Sequence, residues 1–128
     1  MAVDLSMPVL VVDDYKTMVR IIQNLLKSLG FTEVHGAVTG EEALAKLAEH
    51  RYSIVISDWN MEPMSGLDLL VKVRSEQATK SLPFIMVTAE SKTDNVVSAK
   101  RAGVNNYIVK PFNAQTLKQK MVAVLGDF

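Results

Sequence analysis

Five short apolar runs punctuate the chain at 9–12, 34–38, 53–57, 84–87 and 107–109, and a segment of helical periodicity follows each one. The first, Val9-Leu10-Val11-Val12, contains no polar residue, so as a strand it must be buried on both faces. Pro8 stands at its start, where a strand tolerates proline. Tyr15, Met18, Val19, Ile22, Leu25, Leu26 and Leu29 then recur every three or four residues, and Gly30 falls where a left-handed helix cap belongs. Thr39-Gly40-Glu41-Glu42 reads as a helix start with acids in its first turn, and Ala43, Leu44, Leu47 and Ala48 form its inner face. Met61-Glu62-Pro63-Met64-Ser65-Gly66 is a loop by its proline and glycine, and Leu67, Leu70, Val71 and Arg74 continue as a helix. Pro83 opens the fourth run, and a helix through Val96, Val97 and Ala99 stops at Gly103. After the fifth run and Lys110-Pro111, a last helix turns Leu117, Met121, Val124 and Leu125 inward. Strands alternating with helices in this way predict an α/β fold, a parallel sheet covered on both faces.

The totals bound the function. At 128 residues the chain is expected to form one domain, with no room for a second core. Fourteen basic residues balance fourteen acidic ones, which argues against nucleic acid as a partner held by a general basic field. There is no cysteine, hence neither a disulfide framework nor thiol chemistry. The start Met1-Ala2-Val3-Asp4 lacks the pattern of a signal peptide, and no apolar stretch approaches the ~18 residues of a membrane helix. An intracellular domain without a membrane partner is the expectation.

Four of the five runs end in a group capable of chemistry: Asp13 and Asp14 after the first, Asp58 after the third, Thr88 after the fourth and Lys110 after the fifth. Singly, each has an ordinary explanation. An Asp-Asp pair caps turns, a loop acid is solvated, a hydroxyl ends a strand and a lysine is exposed. Together they lie on the carboxyl rim of a parallel sheet, where such folds place their sites. Three converging carboxylates repel one another unless a cation sits among them, and oxygen-only ligands with room for water suit Mg²⁺. A metal there offsets the charge of an incoming phosphoryl group, while a lysine and a hydroxyl can bind its oxygens. Asp58 can thus be a ligand, an acceptor, or both.

Val11-Val12-Asp13-Asp14, Asn24-Leu25-Leu26-Lys27, Ser57-Asp58-Trp59-Asn60-Met61, Met86-Val87-Thr88-Ala89-Glu90 and Val109-Lys110-Pro111-Phe112 resemble the receiver domains of two-component response regulators nearly end to end. The Asp58-Trp59-Asn60-Met61 and Thr88-Ala89-Glu90 runs narrow the likeness to the single-domain chemotaxis branch. The resemblance implies a flavodoxin-like (CheY-like) doubly wound sheet of five parallel strands with five helices. Its strand order, 2-1-3-4-5, is carried by the resemblance and not by spacing. It implies a single receiver over residues 1–128 with no output domain, in the cytoplasm and as a monomer. Asp58 would accept phosphoryl from a CheA-like histidine kinase, with Thr88 and Lys110 binding the phosphoryl oxygens. Mg²⁺ would be held by Asp14, Asp58 and the backbone carbonyl of Asn60, with Asp13 acting through water. Asn60 and Glu90 would tune the loss of the phosphoryl group, to which a phosphatase could add. The Lys110-Pro111 bond would be cis, and Trp59 would report on the site.

By the same resemblance, phosphorylation draws Thr88 towards the new oxygens and Tyr107 rotates inward behind it. The face of the fourth helix, fifth strand and fifth helix, with Ala89, Ser91, Tyr107, Val109, Phe112 and Lys120, would then bind a FliM-like flagellar motor switch protein. Ser91 and Ala123 stand where motor-binding relatives carry alanine and lysine, and Pro63 comes one residue later than usual. A second reading is therefore a phosphate sink that drains the kinase without touching the motor. An aspartate-nucleophile phosphohydrolase is disfavoured because Asn60, two residues after Asp58, cannot transfer protons as its acid does. A flavodoxin-type cofactor carrier is disfavoured because Asp13-Asp14 replaces the phosphate-binding loop.

Overall fold

A computed structural model describes residues 4–88, 93–126 and 128, the side chains of 93–96 excepted. The elements run β1 (Val9–Val12), α1 (Lys16–Ser28), β2 (Val34–Ala37), α2 (Gly40–Glu49), β3 (Ile54–Asp58), α3 (Gly66–Ser75), β4 (Phe84–Thr88), α4 (Thr93–Ala102), β5 (Asn106–Val109) and α5 (Ala114–Leu125). The sheet has the order β2-β1-β3-β4-β5, with every pairing parallel, as the resemblance implied.

Alternation along the strands splits the core in two. Val9, Val11, Ile54, Ile56, Ile85, Val87 and Ile108 face α1 and α5, where Ile22, Leu26, Leu117 and Met121 close over them. Leu10, Val12, Val55, Phe84 and Met86 face the other way, onto Ala43, Leu69, Leu70 and Val73 of α2 and α3. Strands buried on both sides need no polar face, which is why the apolar runs are nearly continuous.

Local chemistry sets the helix ends. Thr39 caps α2 by accepting from the Glu42 N–H, and Asn113 caps α5 by accepting from the Thr116 N–H. Ser65 and Asp68 form a reciprocal capping box at the start of α3. Gly30 has the positive φ expected of it, at 109°, and Gly103 likewise, at 95°. Tyr15 departs from the expected helical series. It is the N-cap residue of α1, 61% exposed, because Asp13 Oδ1 accepts its backbone N–H and turns the chain there. Val71 and Val97 also point outward on their helices. Lys110-Pro111 is cis, as implied, and Glu62-Pro63 is cis as well.

Candidate functional site

The strand register delivers the site. Val12 pairs with Ser57, Asp58 with Val87, and Thr88 with Val109. Extended by one residue, this register puts Asp13 level with Asp58, Thr88 one residue further along and Lys110 one beyond that, at the carboxyl ends of four neighbouring strands. Two of them lie inside the strands: Asp58 is the last residue of β3 and Thr88 the last of β4. The ladder extends that far because the Trp59 N–H donates to Val87 O at 2.8 Å and the Lys110 N–H donates to Thr88 O at 2.8 Å. Asp13 is anchored by its own N–H to Ala37 O at 3.1 Å.

One carboxylate oxygen from each of Asp13, Asp14 and Asp58 lies within 4.8 Å of the others. Among the described residues, no other group of three acids or histidines meets so closely. Asp13 and Asp58 are buried and Asp14 is exposed, so the cluster opens to solvent on one side. Lys110 reaches in from β5, with Nζ 3.1 Å from Asp58 Oδ1 and 3.4 Å from Asp13 Oδ2. Thr88 is also buried at this rim.

Burial pushes the Asp58 carboxyl above its usual range, and the charges of Asp13 and Asp14 push the same way against the opposing pull of Lys110. For Lys110, burial disfavours the ammonium, yet the hydrogen bonds and charges of Asp58 and Asp13 outweigh it and raise the pKa. Three carboxylates against one ammonium leave a net negative pocket. The donors are all oxygen, they converge, and one side is open to water, so the set fits a hard divalent cation.

The remaining sequence-derived residues divide. Trp59 is half-buried beside Asp58 and packs on the α2/α3 core, while Asn60 is exposed. Tyr107 is half-buried on β5 with Lys120 Nζ 5.1 Å from its ring centroid, and Val109 is exposed. Phe112 packs against the α1/α5 core, so only part of it is offered to a partner. Ala89, Glu90 and Ser91 lie outside the described residues. Sequence reasoning missed Ser57, whose hydroxyl donates to Asp58 O at 3.1 Å, and Gly66, whose N–H donates to Trp59 O at 2.9 Å. The loop pattern placed Gly66 in a turn and gave no signal of where that turn would press.

Comparison with known proteins agrees with this geometry. The family "Response regulator receiver domain" matches residues 9–122. The chain is 50% identical over 115 residues to Chemotaxis protein CheY of Pseudomonas aeruginosa, covering 90% of this chain and 93% of that one. It is 47% identical over 116 residues to Chemotaxis protein CheY-3 of Vibrio cholerae, covering 91% and 89%. The crystal structure of Vibrio cholerae chemotaxis protein CheY4 at low pH superposes with a TM-score of 0.89 at 35% identity, over 94% of this chain and 99% of that one. By sequence and by fold, this chain belongs to the response regulator receiver family.

Proposed function

We propose that the chain is a chemotaxis-type response regulator that takes a phosphoryl group from a CheA-like histidine kinase onto Asp58. The observation that carries this reading is Lys110 bridging Asp58 and Asp13 beside Asp14, which sets a buried nucleophile between a cation and a cation-binding pocket. Asp58 needs both: burial and the neighbouring acids hold its pKa up, and an ionised oxygen is required for attack.

In the transfer, an Asp58 oxygen attacks phosphorus, the P–N bond to the kinase histidine breaks as the P–O bond forms, and the imidazole leaves. Thr88 and Lys110 bind the phosphoryl oxygens. Asp14, Asp58 and the backbone carbonyl of Asn60 would hold Mg²⁺, with Asp13 acting through water. Bound there, Mg²⁺ supplies positive charge that lowers repulsion between the carboxylates and the phosphoryl group. By the family likeness, Asn60 and Glu90 tune how fast water removes the phosphoryl group and so set the lifetime of the product. The domain is a phosphoacceptor that turns over only its own phosphoryl group.

Tyr107 carries the signal outward. Its half-buried ring on β5 moves in as Thr88 moves, remaking the face that carries Tyr107, Val109, Phe112 and Lys120, to which the family likeness adds Ala89 and Ser91. A FliM-like flagellar motor switch protein is the partner this face serves. By likeness to these chemotaxis relatives, the receiver works in the cytoplasm, as a monomer, through a separate partner. Among the described residues no helix is long and apolar enough to cross a membrane. A phosphate sink is the second reading, favoured by Ala123, which is exposed on α5 where motor-binding relatives carry lysine.

The two are separated by titrating beryllofluoride-activated protein with the N-terminal peptide of a FliM-like protein. The motor reading predicts a gain in affinity on activation of about tenfold or more. No gain on activation selects the sink.

A further inference from the structure

We infer that Gly66 is a positioning residue for Asp58: its missing side chain lets the start of α3 seat against the Asp58 carbonyl and hold the acceptor in register with Asp13 and Asp14. The inference rests on the reading of Asp58 as a metal ligand and phosphoryl acceptor.

Gly66 is buried, and its φ is not positive, so its backbone conformation alone does not demand glycine. The demand is steric. A β-carbon at position 66 would overlap the carbonyl oxygen of Asp58, and would lie 3.0 Å from that carbonyl carbon and 2.8 Å from Met86 Sδ. The thioether is the flexible end of a side chain and can move aside. The carbonyl belongs to the backbone of β3 and cannot move alone.

The surrounding hydrogen bonds remove the other ways out. Ser57 Oγ donates to Asp58 O at 3.1 Å, the Trp59 N–H donates to Val87 O at 2.8 Å, and the Gly66 N–H donates to Trp59 O at 2.9 Å. The Asp58–Trp59 peptide is thus held at both ends. On the helix side, the Asp68 N–H donates to Ser65 Oγ at 3.1 Å and the Ser65 N–H donates to Asp68 Oδ2 at 3.2 Å, fixing the first turn of α3. A methyl group at 66 therefore pushes the Asp58–Trp59 peptide, and the Asp58 carboxylate and Asn60 carbonyl shift with it. Asp13 and Asp14 follow β1 and stay where they are. The cation pocket widens on one side only.

The test compares wild type, Gly66→Ala, Met86→Ala and the double variant by Mg²⁺ calorimetry, each well below its own melting midpoint. Gly66→Ala is expected to weaken Mg²⁺ binding by about tenfold or more, since an ångström of misplacement at a site is felt strongly. Met86→Ala empties core volume and lowers the melting midpoint, yet leaves Mg²⁺ affinity within about twofold of wild type. The double variant has lost the sulfur and kept the carbonyl clash, so it binds as weakly as Gly66→Ala. Recovery of wild-type affinity in the double variant would show that packing on Met86 was the whole effect and overturn the inference. So would a Gly66→Ala protein that binds Mg²⁺ like wild type. Absence of any Mg²⁺ binding by wild type would instead remove the reading of the site, and the inference with it.

Discussion

The Lys110 ammonium stands 3.1 Å from Asp58 Oδ1, so the cation at the end of β5 already occupies the field that the acids of β1 and β3 create. This one contact reaches past β4, from the end of β5 to the end of β3, and offsets part of the repulsion among Asp13, Asp14 and Asp58. A metal ion entering the pocket must share that field with Lys110.

Lys110→Met should therefore move two properties in opposite directions. Without metal, two buried carboxylates lose their shared partner, and the variant should be less stable by about 1–3 kcal/mol in urea unfolding. Mg²⁺ should bind roughly tenfold more tightly, because a competing positive charge a few ångströms away has been removed. Fluorescence of Trp59, the single tryptophan, reads the second effect directly.

Asp58 should give a pH-dependent stability with a definite sign. Its folded pKa is raised by burial and by the neighbouring acids, so the folded state holds that proton more tightly than the unfolded state. The contribution of Asp58 is thus fully favourable below its unfolded pKa and is lost as pH rises through the raised folded value. Asp58→Asn, which stays neutral, should melt higher than wild type at neutral pH in the absence of Mg²⁺. The gap should close on acidification, and Mg²⁺ should raise the melting point of wild type but not of the variant.

Arg74 makes a separate, structural prediction. Its guanidinium donates to Gly103 O at 3.0 Å, Leu82 O at 2.6 Å and Asn105 Oδ1 at 2.9 Å, tying the end of α3 to the turns that lead into β4 and β5. Arg74→Met takes the donor from Gly103 O and Leu82 O, while Asn105 Oδ1 keeps the Phe84 N–H at 2.8 Å, and should cost about 2 kcal/mol of unfolding free energy. Mg²⁺ affinity at the opposite rim of the sheet should be unchanged.

Ser65→Ala removes one half of the capping box on α3 and should cost about 1 kcal/mol by chemical denaturation. Ser65→Asp, which can still accept from the Asp68 N–H, should recover most of it.

Much of this was legible in the chain itself because buried parallel strands write themselves as apolar runs that end abruptly at the rim. Val12 followed by Asp13, and Ile56-Ser57 followed by Asp58, mark both the strand and the place where it surfaces. The ends were less legible. Asp58 and Thr88 belong to their strands because neighbouring strands continue the ladder past the apolar residues, through the Trp59 and Lys110 N–H groups. Those bonds depend on register between distant segments, which local pattern does not carry. Tyr15 fits the helical spacing yet stands at the N-cap position just outside the helix, where Asp13 Oδ1 accepts its N–H. Phe112 sits in a surface motif but finds the α1/α5 core within reach. Gly66 looked like a turn glycine, and its contact with the Asp58 carbonyl exists only once α3 has docked.

The most direct test of the account is phosphorylation itself. Protein incubated with Mg²⁺ and acetyl phosphate should gain one phosphoryl group by intact mass, located on Asp58 by peptide mapping. Omitting Mg²⁺ or replacing Asp58 with Asn should abolish that gain. An adduct that forms equally well on the Asp58→Asn variant, or none on wild type with Mg²⁺ present, would contradict the assignment of Asp58 as the acceptor.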